Sequence, residues 1–194
     1  FGFNAGSALA ADGSAGMAML VTHIGAATGS LAWMICEWTR YGKPSVLGIV
    51  TGMVAGLGTI TPASGFVGPL GALAIGAAAG VACFFATNFM KRSLGVDDSL
   101  DVFPVHGVGG FMGTILTGVF AAAALGGVGY PDNGTMGGQV LVQITGVLAV
   151  GAWSGVVTWI LLKVSDALVG LRVTAEEETE GLDTVLHNEK GYNL

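Results

Sequence analysis

The chain has 194 residues, 52% of them apolar and only 10% charged, with a net charge of −6. An ordinary soluble domain is about a quarter charged, so this composition excludes a soluble globular fold. The acidic balance excludes a basic nucleic-acid-binding surface, although much of the acid is gathered in one stretch, AEEETEGLD, at 175–183.

The remaining charges are segregated. No Asp, Glu, Lys or Arg occurs in 13–36, 44–90, 102–131 or 133–162. Uncharged apolar runs of about 18 residues or more read as membrane-spanning helices. The first stretch, FGFNAGSALAA (1–11), is uncharged but too short to span. It lacks an initiator Met and starts in mid-pattern, so it reads as the end of a helix that begins upstream, and the chain as a C-terminal portion. Complete spans follow at 14–36 and 44–60. The run 44–90 is too long for one helix and breaks at TPASGFVG (61–68), where Pro and Gly punctuate the chain. The third span is therefore 68–90, the fourth 102–125 and the fifth 138–168. Residues 1–168 form a transmembrane domain on this reading, and 169–194 a solvated tail without a long apolar period.

If the connections alternate sides, all seven basic residues fall on one side: Arg40 and Lys43, Lys91 and Arg92, and Lys163, Arg172 and Lys190 around the last helix end and tail. Basic residues mark cytoplasmic connections, so that side and the C-terminus are assigned to the cytoplasm of a multi-pass protein in the cell membrane. Many of the 34 glycines lie inside the spans, where they let helix backbones approach closely; Gly76 with Gly80 and Gly109 with Gly113 have the small-xxx-small spacing. Cys36 and Cys83 lie in apolar spans without metal-ligand or disulfide spacing and read as small buried hydrophobes. No nucleophile–base pair, metal cluster or phosphate loop is evident, so neither an enzyme nor a cofactor is expected.

The stretch DVFPVHGVGG (101–110) raises the functional question. Asp97, Asp98, Ser99 and Asp101 favour a helix N-terminus by capping and by complementing the macrodipole, and Pro104 is tolerated in a first turn. His106 then stands about 7–8 Å along the helix, inside the hydrocarbon. Intramembrane ionisable residues usually face a cavity or a partner. Burial disfavours imidazolium, and a neutral ring offers one donor and one acceptor, which suits a small polar solute such as ammonia, or a proton being handed along. The alternative is a core histidine bonded to a helix backbone or a neighbouring hydroxyl. His23, in the middle of the first span, reads as packing or a subunit contact, and His187 as a solvated tail residue. Phe1, Phe3 and Ser7 stand near the outer end of the first helix, where aromatic faces attract cations or form an interfacial belt.

Together, FGFNAGS, GLGTITPASGFVGPLGAL, DVFPVHGVGG followed by TGVFAAAALGGVG, and GLRV…EGLD resemble the second half of ammonium transporters of the Amt/Mep/Rh family, over essentially the whole chain. The resemblance implies an all-α polytopic membrane protein, with the end of the sixth helix and helices seven to eleven of an eleven-helix fold, in a homotrimer with one pore per subunit. It implies that His106 is the second of a twin-histidine pair in the pore, Phe3 one phenylalanine of the gate above it, Ser7 the hydroxyl of the outer ammonium site, and Val102 an apolar pore-lining residue. Phe3, Ser7 and His106 would contact ammonium or ammonia. The other gate phenylalanine, the site tryptophan, the first histidine and a structurally important aspartate belong to the family's first half and are not in this sequence. His23 has no match in the pore motif. The acidic tail resembles the region that docks a PII-type signalling protein. Other readings are an ammonium sensor of the same fold, an Rh-type neutral-gas channel and a non-transporting structural subunit.

Overall fold

The computed structural model describes residues 1–192, and every regular element among them is helical. A short helix α1 (Gly2–Gly6) is followed by α2 (Gly13–Tyr41), α3 (Val46–Ile60), α4 (Pro69–Phe89), α5 (Val108–Phe120) and α6 (Met136–Val169). Two one-turn helices, α7 (Ala175–Glu180) and α8 (Leu182–His187), lie in the tail. Five segments are long and apolar enough to cross a membrane: Gly13–Tyr41, Val46–Ala63, Pro69–Leu94, Phe103–Phe120 and Met136–Val169. They are the five expected spans, with ends adjusted by a few residues. The largest adjustments are at 1–11, where the helix stops at Gly6 and Leu9 takes φ 60°, and at 102–125, where α5 ends at Phe120 and a separate 3-10 turn follows at Ala123–Leu125.

Local chemistry sets these boundaries. Asp12 caps α2, its carboxylate accepting from the N–H groups of Ser14 and Ala15 at 2.9 and 3.2 Å, and Gly42 ends that helix in the left-handed region at φ 79°. The Ser45 hydroxyl caps α3 by accepting from the Gly48 N–H at 2.9 Å. Pro62 lies in the 3-10 turn Thr61–Ala63 that closes α3, and Pro69 opens α4, where its missing N–H is tolerated. The TPASGFVG break thus lies between two helices, as its Pro and Gly require.

Residues Phe1–Leu148 form one compact unit and Ala149–Leu194 a second. In the first, α2 packs along both α3 and α4. The contact is made of backbone: a methyl group on Gly80 would lie 2.5 Å from the Gly29 carbonyl oxygen, and one on Gly29 the same distance from the Gly52 carbonyl oxygen. No side chain fits there, so glycine is what permits the approach. Two apolar clusters fill the space around this seam. Val21, Ile60, Ala63, Val67, Ala72 and Ile75 make one; Trp33, Ala55, Cys83, Phe84 and Val105 make the other. Both cysteines are free thiols, Cys83 fully buried and Cys36 half-buried. None of the residues of α6 is buried. Thirty-four residues rise about 51 Å, more than a hydrocarbon core requires, and Lys163 and Asp166 lie in the final turns of this length.

Candidate functional site

The first candidate region surrounds α1. Asn4 is buried, and its amide donates to Thr22 Oγ1 of α2 at 3.0 Å. The Thr22 hydroxyl in turn donates to the Ala18 carbonyl at 2.6 Å. A buried amide left unpaired would be costly, so this pair fixes α1 on α2. It also fixes the two expected site residues that α1 and its C-cap carry. Ser7 lines a cleft of about 450 Å³ with Asn4, Ser14, Thr61, Ser64 and Phe66. Its hydroxyl donates to the Phe3 carbonyl at 2.7 Å and keeps its lone pairs as acceptors. Thr61 and Ser64 likewise direct their hydroxyl hydrogens to the carbonyls of Leu57 and Thr61, at 2.7 and 3.2 Å. The cleft therefore offers hydroxyl oxygens and carries no full charge, an arrangement suited to replacing part of a cation's hydration shell. Phe3 projects outward and is 77% exposed.

The second region is the start of α5. Residues Phe103–Gly107 form one π-helical turn ahead of the α-helix. Asp98 caps it: one carboxylate oxygen accepts from the Val102 N–H at 2.8 Å and the other from the Phe103 N–H at 2.9 Å. These N–H groups, Phe103 first, hold the Asp98 carboxyl below its ordinary value. The wider turn buries Pro104 and Val105 and turns His106 outward, where it is exposed. Val102, one turn earlier, is 52% exposed. His106 Nδ1 would stand 3.7 Å from a methyl group on Gly58, so the ring lies close over the bare backbone of α3. Among the described residues the ring makes no hydrogen bond, unlike a core histidine satisfied by a backbone or hydroxyl group. π-Helical turns occur frequently at functional sites.

These two regions hold the four expected site residues, Ser7 and Phe3 in one and Val102 and His106 in the other. Among the described residues no hydrogen bond or ring contact joins His106 to Phe3 or Ser7. His23 is exposed, its ring 5.6 Å from that of Phe1, in a hollow with Gly16, Met19 and Leu20. His187 closes α8 and is exposed. Sequence reasoning missed Asn4, Thr61 and Ser64. Its available signal was polarity: each interrupts an apolar run with a hydrogen-bonding group that needs a partner.

At the end of the bundle that carries the basic residues, Lys91 pairs with Asp101 at 2.8 Å. Arg92 lies over the Tyr41 ring at 5.4 Å and Arg40 over Phe85 at 5.9 Å. Glu37 accepts from the Ser45 N–H at 2.7 Å and from Trp33 Nε1 at 3.3 Å, joining the end of α2 to the start of α3. Among the described residues no group of three or more His, Cys, Asp or Glu side chains is placed to hold a metal ion.

The model of the Ammonium Transporter Family matches residues 1–192. An ammonium transporter of Aquifex aeolicus is 51% identical over 199 residues, a match covering 100% of this chain and 45% of that protein. Among solved structures, Saccharomyces cerevisiae Mep2 superposes with a TM-score of 0.79 at 38% identity, covering 91% of this chain and 44% of that one. A structure described as a sensor Amt protein superposes with a TM-score of 0.86 at 32% identity, covering 94% and 44%. The chain spans about half the length of the curated relatives it matches. Its five apolar spans, their order and the whole-chain match agree, and the chain belongs to the ammonium transporter family, as a multi-pass α-helical membrane protein.

Proposed function

We propose that this chain forms part of a pathway that takes up ammonium at the outer face and passes ammonia across the membrane. The observation that carries the reading is the family match together with His106, an unbonded imidazole turned out of an otherwise apolar helix start by a π-helical turn. Ser7 and the neighbouring hydroxyl oxygens of the 450 Å³ cleft take over part of the ion's hydration, and the exposed Phe3 ring offers a cation-attracting face. Moving the intact ion onward through apolar surroundings is expensive, so the ion gives up a proton and the neutral molecule moves past Val102. His106 then exchanges hydrogen bonds with that molecule or carries the proton separately. Potassium has no proton to give up and is rejected.

The reading extends to the assembly. It is a homotrimer in the cell membrane, residues 1–168 being the membrane domain and 169–194 a cytoplasmic tail. α7 in that tail has a complete capping box between Thr174 and Glu177, which supports a defined surface for a PII-type signalling protein. The test is flux in proteoliposomes holding the full-length protein. Methylammonium uptake that saturates and resists excess potassium supports the mechanism; equal passage of potassium overturns it.

A second reading has one specific observation behind it, the likeness to a structure described as a sensor Amt protein. On that reading ammonium occupancy is reported through the tail and conduction is secondary. Wild-type signalling in a variant that conducts nothing would favour it.

A further inference from the structure

The π-helical turn that presents His106 rests on a buried polar contact that the mechanism above does not use. The thiol of Cys83, on α4, is fully buried and donates to the Val105 carbonyl at 3.9 Å. Val105 is the residue before the histidine, in the middle of the turn. The hydroxyl of Thr59, on α3, is also fully buried and has no hydrogen-bond partner. A methyl group on Gly109 would meet Thr59 Oγ1 at 2.7 Å and Cys83 Sγ at 3.4 Å. Hydroxyl and thiol therefore converge on one point beside α5, and the missing side chain of Gly109 is what leaves room for them. A buried hydroxyl without an acceptor is destabilising, and a neighbouring sulfur is a weak acceptor. Thr59 Oγ1 and Cys83 Sγ thus stand on the same side of α5 at Gly109, and the thiol ties α4 to the turn whose outer side carries the imidazole.

We infer that Thr59 and Cys83 are positioning residues for His106, setting the angle at which its ring leaves α5 by holding the Val105 carbonyl. This rests on the pore role given to His106 above. A purely space-filling role needs only volume at both positions. A positioning role needs the thiol hydrogen and the hydroxyl, and it makes the two residues act as one unit.

The test compares Cys83→Ala and Thr59→Val with Cys83→Ser and Thr59→Ser in the full-length protein, reconstituted in vesicles and normalised to folded protein. Each of the first pair lowers maximal methylammonium flux about tenfold, in line with the effect of sub-ångström misplacement of an acting group. The half-saturating concentration stays unchanged, because the Ser7 cleft is untouched. The double variant is no worse than either single one, and the two serine variants retain flux. In spectra of nitrogen-labelled histidine, the His106 ring signals move in the first pair and not in the serine pair, a readout that needs no transport. Flux that falls only in proportion to folded protein, a changed half-saturation at constant maximum, or unmoved ring signals overturns the inference. His106→Ala serves as the control. If that variant transports normally, the pore reading itself fails; if it is impaired while Thr59 and Cys83 variants are silent, only the positioning role fails.

Discussion

The seam between α2, α3 and α4 and the two site regions, one at α1 and one at the start of α5, are built on opposite principles. In the seam, Gly29 and Gly80 bring backbones into contact and the surrounding Val, Ile, Ala and Phe side chains are buried. In the two site regions, Phe3, Val102 and His106 are exposed, and what is buried nearby is polar: Asn4 on Thr22, and Thr59 near Cys83. The first region obtains rigidity from shape alone, which suffices in lipid because apolar helices gain little from burial against one another. The second holds a few side chains at fixed angles, and that needs hydrogen bonds, which are directional. Packing carries the fold, while polar anchors aim the site.

Substitutions in the two regions should therefore fail differently. The largest effect is expected in the seam. Gly29→Leu puts a branched chain where a methyl group already collides with the Gly52 carbonyl, and overpacking costs about 1–3 kcal/mol or more. Little folded protein should be recovered from detergent extracts; normal yield and melting temperature would contradict the packing described here. His106→Ala is next. Its yield should be normal, but methylammonium uptake should drop about 100-fold if the ring carries the proton, the scale of one lost acid–base group. His106→Glu sharpens the same point, since a carboxylate that still relays protons should leave some cation current and admit potassium.

Asp98→Ala should act between the two regions. It removes the acceptor of the Val102 and Phe103 N–H groups, so both stability and flux should fall moderately. The pH dependence follows from the same bonds. Because folding depresses the Asp98 carboxyl, its contribution is complete above the unfolded carboxylate range and is lost as pH falls through the depressed value. The wild-type melting temperature should decline on acidification, and the decline should be shallower in Asp98→Ala. The smallest effect is expected at Thr174→Ala. It removes the hydroxyl of the α7 capping box and should fray that helix by circular dichroism of the tail while leaving flux unchanged.

How much was legible beforehand differs between these regions for the same reason. The five spans followed from where charge is absent, and the structure moved their ends by a few residues. The Asp-rich segment before DVFPVHG announced a cap, and Asp98 supplies it. The π-helical geometry of Phe103–Gly107 was not legible. Pro104 marks a first turn in α- and π-helices alike. Nor was the partner of Asn4, because a buried amide announces a need without naming who meets it. His23 and His106 are both lone histidines in apolar spans. The structure gives one a ring contact with Phe1 and the other a seat over Gly58.

The sequence by itself determined that this is a five-span helical membrane chain, where each span lies, and that His106 sits within one of them. Those properties follow from transfer free energies summed residue by residue along a local stretch, which need no knowledge of neighbours. Only the tertiary structure decided which way His106 faces, which hydroxyls share the cleft with Ser7, and that Thr59 and Cys83 meet beside α5. Each of these depends on which distant backbones approach closely enough to touch, and that is set where glycines on three helices coincide.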